Sequence, residues 1–174
     1  MSKNIPARSY ADSQVLREMF KQVAEPAHPD GTMLADFWRK REAAGGFVVC
    51  RDVPSRPLAC VLHNLLLLEP VGAPGHLSDL RVKLAGDTLH QRLGGNTAGM
   101  LLSELFSRRD FESHIARAAD VLDRNAPYFM RCELRRASFV ERQLEIIVLP
   151  VWNASRSARW ILAGVFYFNP RQQR

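Results

Sequence analysis

A chain of 174 residues, 47% hydrophobic and 24% charged, is long enough to bury a core and too apolar to be disordered. Its uninterrupted apolar runs fall far short of the ~20 residues that a membrane-spanning helix needs. The net charge of +6 comes from 24 basic residues, all but four of them Arg. They are scattered rather than run together, and no zinc-finger or RNP-type motif accompanies them, which argues against specific nucleic-acid recognition.

Residues 1–8 read as unstructured, and the N-terminus lacks the apolar stretch of a signal peptide, so a cytoplasmic protein is expected. From Ser9 to Ala24, Val15, Leu16, Met19, Phe20 and Val23 recur at helical spacing. Pro26 and Pro29 break that pattern. Thr32 is a candidate N-cap for a second helix carrying Met33, Leu34, Phe37 and Trp38, ended by Gly45 and Gly46. Residues 1–46 thus read as a helical extension of a main domain over 47–169, with a tail over 170–174.

A brief helix is predicted from Leu58 to Asn64, then a buried strand from Leu65 to Glu69, bounded by Pro70. A turn at Gly72, Pro74 and Gly75 leads to a strand from Leu77 to Ala85. There Leu80, Val82 and Leu84 alternate with Asp79, Arg81 and Lys83, one face apolar and the other wet. The two strands make a hairpin. Gly86 and Asp87 open a helical crossover with Leu89 and Leu93 on one face, a glycine corner at Gly94 and Gly95, and a short turn of helix at Leu101–Phe106. A longer helix follows over Phe111–Arg124, its stripe formed by Phe111, Ile115, Ala118, Ala119 and Leu122. Asp110 is its expected N-cap, or Ser107 if it starts earlier. Three strands close the chain: Tyr128–Arg136, Phe139–Trp152 and Trp160–Phe168. The expected fold is α+β, a curved five-stranded antiparallel sheet with helices across one face.

Four pieces of sequence carry a resemblance. They are Phe37-Trp38-Arg39 followed by Asp52-Val53-Pro54-Ser55-Arg56; the strand Leu77–Gly86 with its basic residues and closing Gly; Leu93-Gly94-Gly95-Asn96-Thr97-Ala98-Gly99 before the Leu102–Phe106 turn; and Leu149-Pro150-Val151-Trp152. In this order they resemble the PAS superfamily, and more narrowly the short stand-alone PAS-like proteins of alphaproteobacteria, over residues 33–168. The chain departs from that group where Pro57-Leu58 stands in place of an Asp-Pro pair. The resemblance implies a sensory or regulatory module that binds a small ligand or a protein partner, and it raises flavin and haem as possible cofactors. The Asn-Cys pair of a photoactive flavin domain is missing, since Asn96 is followed by Thr97.

Haem would require an axial ligand, and His114, near the start of the long helix, is the one candidate; its phase at the edge of the apolar stripe speaks for an ordinary helix histidine. No cofactor is therefore expected. The other histidines show no metal-ligand spacing, so no metal is expected either. Gly94-Gly95-x-x-x-Gly99 lacks the Lys-Ser/Thr of a phosphate loop, and no nucleophile elbow surrounds Ser103 or Ser113. Cys50, Cys60 and Cys132 form no C-x-x-C pair, and Cys132 falls on the apolar phase of its strand. Glu133, Glu141 and Glu145 are explained by cross-strand pairs with Arg131, Arg135 and Arg142 on a wet face. A non-catalytic module is the expectation. The alternatives are a small-molecule-binding enzyme on a cupped α+β fold and, more remotely, a nucleic-acid-binding protein.

The remaining site is an apolar cavity. Tyr128, Met130, Cys132 and Leu134 share one strand face, and Leu144, Ile146 and Val148 share a face of the next. The expected ligand-binding residues are Tyr128, Met130, Cys132, Ile146 and His114, facing a small apolar ligand, with no catalytic residue. The expected partners are an unidentified signalling protein and a second copy of the chain, but no membrane. The homodimer would join through the Ser9–Ala24 helix and the outer face of the sheet.

Overall fold

The computed structural model describes residues 17–136 and 139–168. The strands are β1 (Arg17–Val23), β2 (Leu65–Ala73), β3 (His76–Ala85), β4 (Tyr128–Arg136), β5 (Phe139–Trp152) and β6 (Arg159–Tyr167). The helices are α1 (Pro29–Ala43), α2 (Asp87–Arg92), α3 (Leu102–Leu105) and α4 (Arg108–Arg124). All pairings in the sheet are antiparallel, in the order β1-β4-β5-β6-β2-β3.

The α+β class and the hairpin stand as expected, but the sheet has six strands, not five. The added strand is β1, where a helix was expected; the remainder of that segment, 9–16, lies outside the described residues. Met19, Phe20 and Val23 satisfy a helical spacing, yet the outer edge of β4 supplies a row of unpaired backbone groups. Pairing Arg17–Val23 with Phe129–Arg135 satisfies them. Phe20 and Val23 then point to opposite faces, as strand geometry requires.

The second N-terminal helix is present, with a different cap. His28 is the N-cap: its Nδ1 accepts the Asp30 N–H at 3.1 Å, and Pro29 takes the first helical position, where a missing N–H costs nothing. Thr32 lies inside the helix, its hydroxyl 3.3 Å from the Pro26 carbonyl. The helix predicted at Leu58–Asn64 is two 3-10 turns, Arg56–Leu58 and Leu62–Asn64.

Both faces of the sheet are covered, not one. On the first, α1 buries Leu34, Ala35 and Trp38 together with Phe47, Val49, Val53 and Leu58 against Leu65, Leu67, Ile147, Leu149, Leu162 and Phe166. On the second, the belt α2–α4 buries Leu89, Leu102, Ala118 and Val121 against Leu66, Leu68, Leu80, Val82, Val148 and Ile161. The alternation along β5 deals its residues to the two cores in turn. The outer sheet face assigned to a dimer interface is therefore occupied by α1 and the loop after it, and no helix is present at 17–23 to join it.

Two buried carboxylates hold the α1 layer. Asp52 accepts the Val48 N–H at 2.7 Å and pairs with Arg51 and Arg41. Burial pushes its pKa up, but the Arg51 hydrogen bond, the Val48 N–H and the charges of Arg51 and Arg41 together bring it below its ordinary value. Glu145 does pair across the strands with Arg131, at 3.5 Å, but not on a wet face. It is fully buried, and it accepts the backbone N–H groups of Ala27 and His28 at 2.9 and 3.0 Å. The chain entering α1 covers it. Asp79, also assigned to a wet face, is buried and accepts the Leu80 N–H at 2.7 Å.

Candidate functional site

Between the belt and the sheet lies a cavity of about 360 Å³. Its floor is built by strand register. Phe20, Cys132, Leu144 and Tyr167 stand directly opposite one another across β1, β4, β5 and β6. Met130, Ile146 and Val165 form the next row, and Val148, Ala163 and Leu66 the one after. Side chains on alternate residues of a strand share a face, so all three rows point at the belt. Leu80, Leu89, Leu102 and Ala118 close the cavity from other sides.

The α4 wall is different in kind. Asp110, Ser113, His114, Arg117 and Ala118 line the cavity at intervals of three, one, three and one, a single helical face, and its first four members are polar. Ser107, the N-cap of α4, fixes the start of this face: its Oγ accepts the Asp110 N–H at 3.3 Å and donates to the Asp110 carboxylate at 2.7 Å. Asp110, named as the candidate cap, is thus the residue being capped.

His114 lies half-buried, with its ring edge against Phe106 at 4.7 Å between centroids. Burial lowers its pKa below 6.5 and the Arg117 charge lowers it further; the Asp110 carboxylate offsets part of this. The imidazole is therefore neutral at pH 7.

Two arginines border the first row of the floor. Arg117 places its guanidinium 5.1 Å from the centre of the Phe20 ring. Arg92, the last residue of α2, stands 3.6 Å over the Tyr167 ring. Phe20 and Tyr167 are the two ends of that row, so each end carries a cation stacked on an aromatic face. Neither arginine has an ion-pair partner among the described residues.

Of the expected site residues, Met130, Cys132, Ile146 and His114 line the cavity. Tyr128 shares their strand face, opposite Val148, but packs beyond the cavity against the belt-side core. The sequence reading missed Arg92, Asp110, Ser113, Arg117 and Tyr167. The first and last sit on elements far apart in the chain. The α4 residues carried a legible signal, a polar i, i+3, i+4, i+7 series beside the apolar stripe.

The glycine corner serves as a turn: Gly94 and Gly95 adopt φ of +93° and +138°, and the Gly95 N–H closes onto the His90 carbonyl at 2.8 Å. Among the described residues, no group of three or more His, Cys, Asp or Glu is placed to hold a metal ion. Nor is any helix among them long and apolar enough to cross a membrane. Comparison with protein-family models, with curated proteins and with solved structures found no match to this chain.

Proposed function

We propose that this chain is a PAS-like sensory or regulatory module, non-catalytic, that binds a small ligand between belt and sheet and passes the signal to a protein partner by contact. The observation that carries the reading is the 360 Å³ cavity, within the range of about 300–1,000 Å³ typical of small-molecule sites. Its floor is largely apolar and most of its polar groups lie on the α4 wall, with Arg92 and Tyr167 apart from them, the composition expected of a site that desolvates a ligand and orients it. The chain order of a hairpin, three belt helices and three further strands supports the PAS-like reading.

Signal transfer follows from the same layout. The belt touches the ligand on one side, and its other side is at the surface. A ligand that changes how α4 sits on the sheet changes the surface a partner meets. No paired nucleophile and base faces the cavity in this reading; His114 is a neutral polar contact.

Native mass spectrometry of freshly purified protein, followed by denaturation and extraction, tests the proposal. A small molecule that travels with the native protein and is released on denaturation is expected. A protein that emerges empty, and whose thermal midpoint no small-molecule panel raises, would refute it.

A further inference from the structure

We propose that the cavity selects an alkyl carboxylate, its chain along the floor and its head between Arg92 and Arg117. This rests on the ligand-binding reading above and adds the chemical class of the ligand.

The rows of the floor differ in character. The first row, Phe20–Cys132–Leu144–Tyr167, is the one with a guanidinium over each end. In the rows beyond it the residues that line the cavity, Met130–Ile146–Val165 and Val148–Ala163–Leu66, are all apolar, and Gln22 and Tyr128, which extend these rows, are not among its lining. From Leu144 to Val148 along β5 is about 13 Å at the usual rise of a strand. The floor is thus polarised along the strands, with a cation over each end of its first row and apolar side chains beyond it.

The charge balance has the same sense. The basic and acidic side chains lining the cavity are Arg92, Arg117, His114 and Asp110. His114 is neutral at pH 7, leaving two cations against one carboxylate, and that carboxylate already accepts the Ser107 hydroxyl. Arg92 is exposed and Arg117 half-buried, so a ligand head can reach both, and neither has an acidic partner among the described residues. A carboxylate supplies one through charge-assisted hydrogen bonds to the guanidinium groups. A neutral amphiphile would bury the same chain and leave both arginines unpaired.

Titration calorimetry on the full chain tests this with hexanoate, octanoate and decanoate, and with octanol as the neutral match of octanoate, all below the concentrations at which they self-associate. Octanoate is expected to bind at least about tenfold more tightly than octanol, as the charged pair requires. Each added methylene should strengthen binding about fourfold, the ~0.8 kcal/mol of a buried CH₂, until the cavity is full. In Arg92→Met and Arg117→Met, which keep an apolar stem, octanoate should fall to the level of octanol. Octanol binding in those variants doubles as the check that the cavity is intact. Equal affinity for octanoate and octanol in the unaltered protein overturns the carboxylate inference and leaves the ligand-binding reading standing. A preference that survives both substitutions overturns the role of the arginines. Binding of none of the four compounds overturns the alkyl carboxylate inference, and the ligand-binding reading is then decided by the native mass spectrometry above.

Discussion

The indole N–H of Trp38 donates to the carbonyl of Pro150 at 2.8 Å, joining α1 to the middle of the sheet across 112 residues of chain. β4 ends opposite Val148, so β5 has lost its neighbour on that side by Pro150. A strand residue points its N–H and C=O to the same side. The carbonyl that reaches Trp38 therefore marks the side on which proline's missing N–H would have pointed, and no ladder bond is lost. Two residues on, the backbone of Trp152 is met in the same way by Phe47 and Val49.

Replacing Trp38 by Phe keeps most of the buried ring and removes the donor. The Pro150 carbonyl is left buried without its partner, which costs about 1–3 kcal/mol. Urea unfolding should show a lower midpoint with an unchanged slope. A midpoint equal to that of the unaltered protein would mean the bond contributes nothing net.

Glu145 is the most exacting group in the α1 layer. It accepts from Ala27 and His28, faces Arg131, and lies where a Cβ on Gly31 would come within 2.9 Å of its Oε1. Glu145→Ala strands two N–H groups and a cation together, and a loss on the order of 3–5 kcal/mol is expected. Glu145→Gln keeps an acceptor in place and should cost clearly less. Chemical denaturation of both variants compares them directly, and equal losses would show that shape, not hydrogen bonding, is what matters there.

His114 makes stability depend on pH in a definite direction. Its pKa in the folded chain is below 6.5, first through burial and then through Arg117, with Asp110 opposing. Below pH 6.5 the unfolded chain takes up a proton that the folded chain resists, so stability falls as pH drops through that region. His114→Gln removes the titration. Unfolding measured at about pH 7.5 and about pH 5.5, on either side of the ordinary histidine value, should show a larger acid loss in the unaltered protein than in the variant. An equal loss in both would place the acid sensitivity elsewhere.

Much of the cavity was legible before folding. Strand alternation placed Met130 and Cys132 on one face and Leu144, Ile146 and Val148 on another, and in the sheet these five line the same space. The apolar stripe of α4 was likewise written in its spacing, because a local period fixes which side chains share a face whatever the surroundings. The segment Arg17–Val23 escaped for the converse reason: its spacing fits a helix, and only the open edge of β4, more than 100 residues away, makes a strand the better solution. Glu145 reads as a wet-face acid until the chain entering α1 is laid over it. Arg92 and Arg117 sit on different helices and meet the same row only because four strands bring Phe20 and Tyr167 into line. Faces are a local property, since they follow from bond geometry within a few residues. Which edges are paired, which charges are covered and which cations share a cavity are properties of contacts between distant segments, and no local period encodes them.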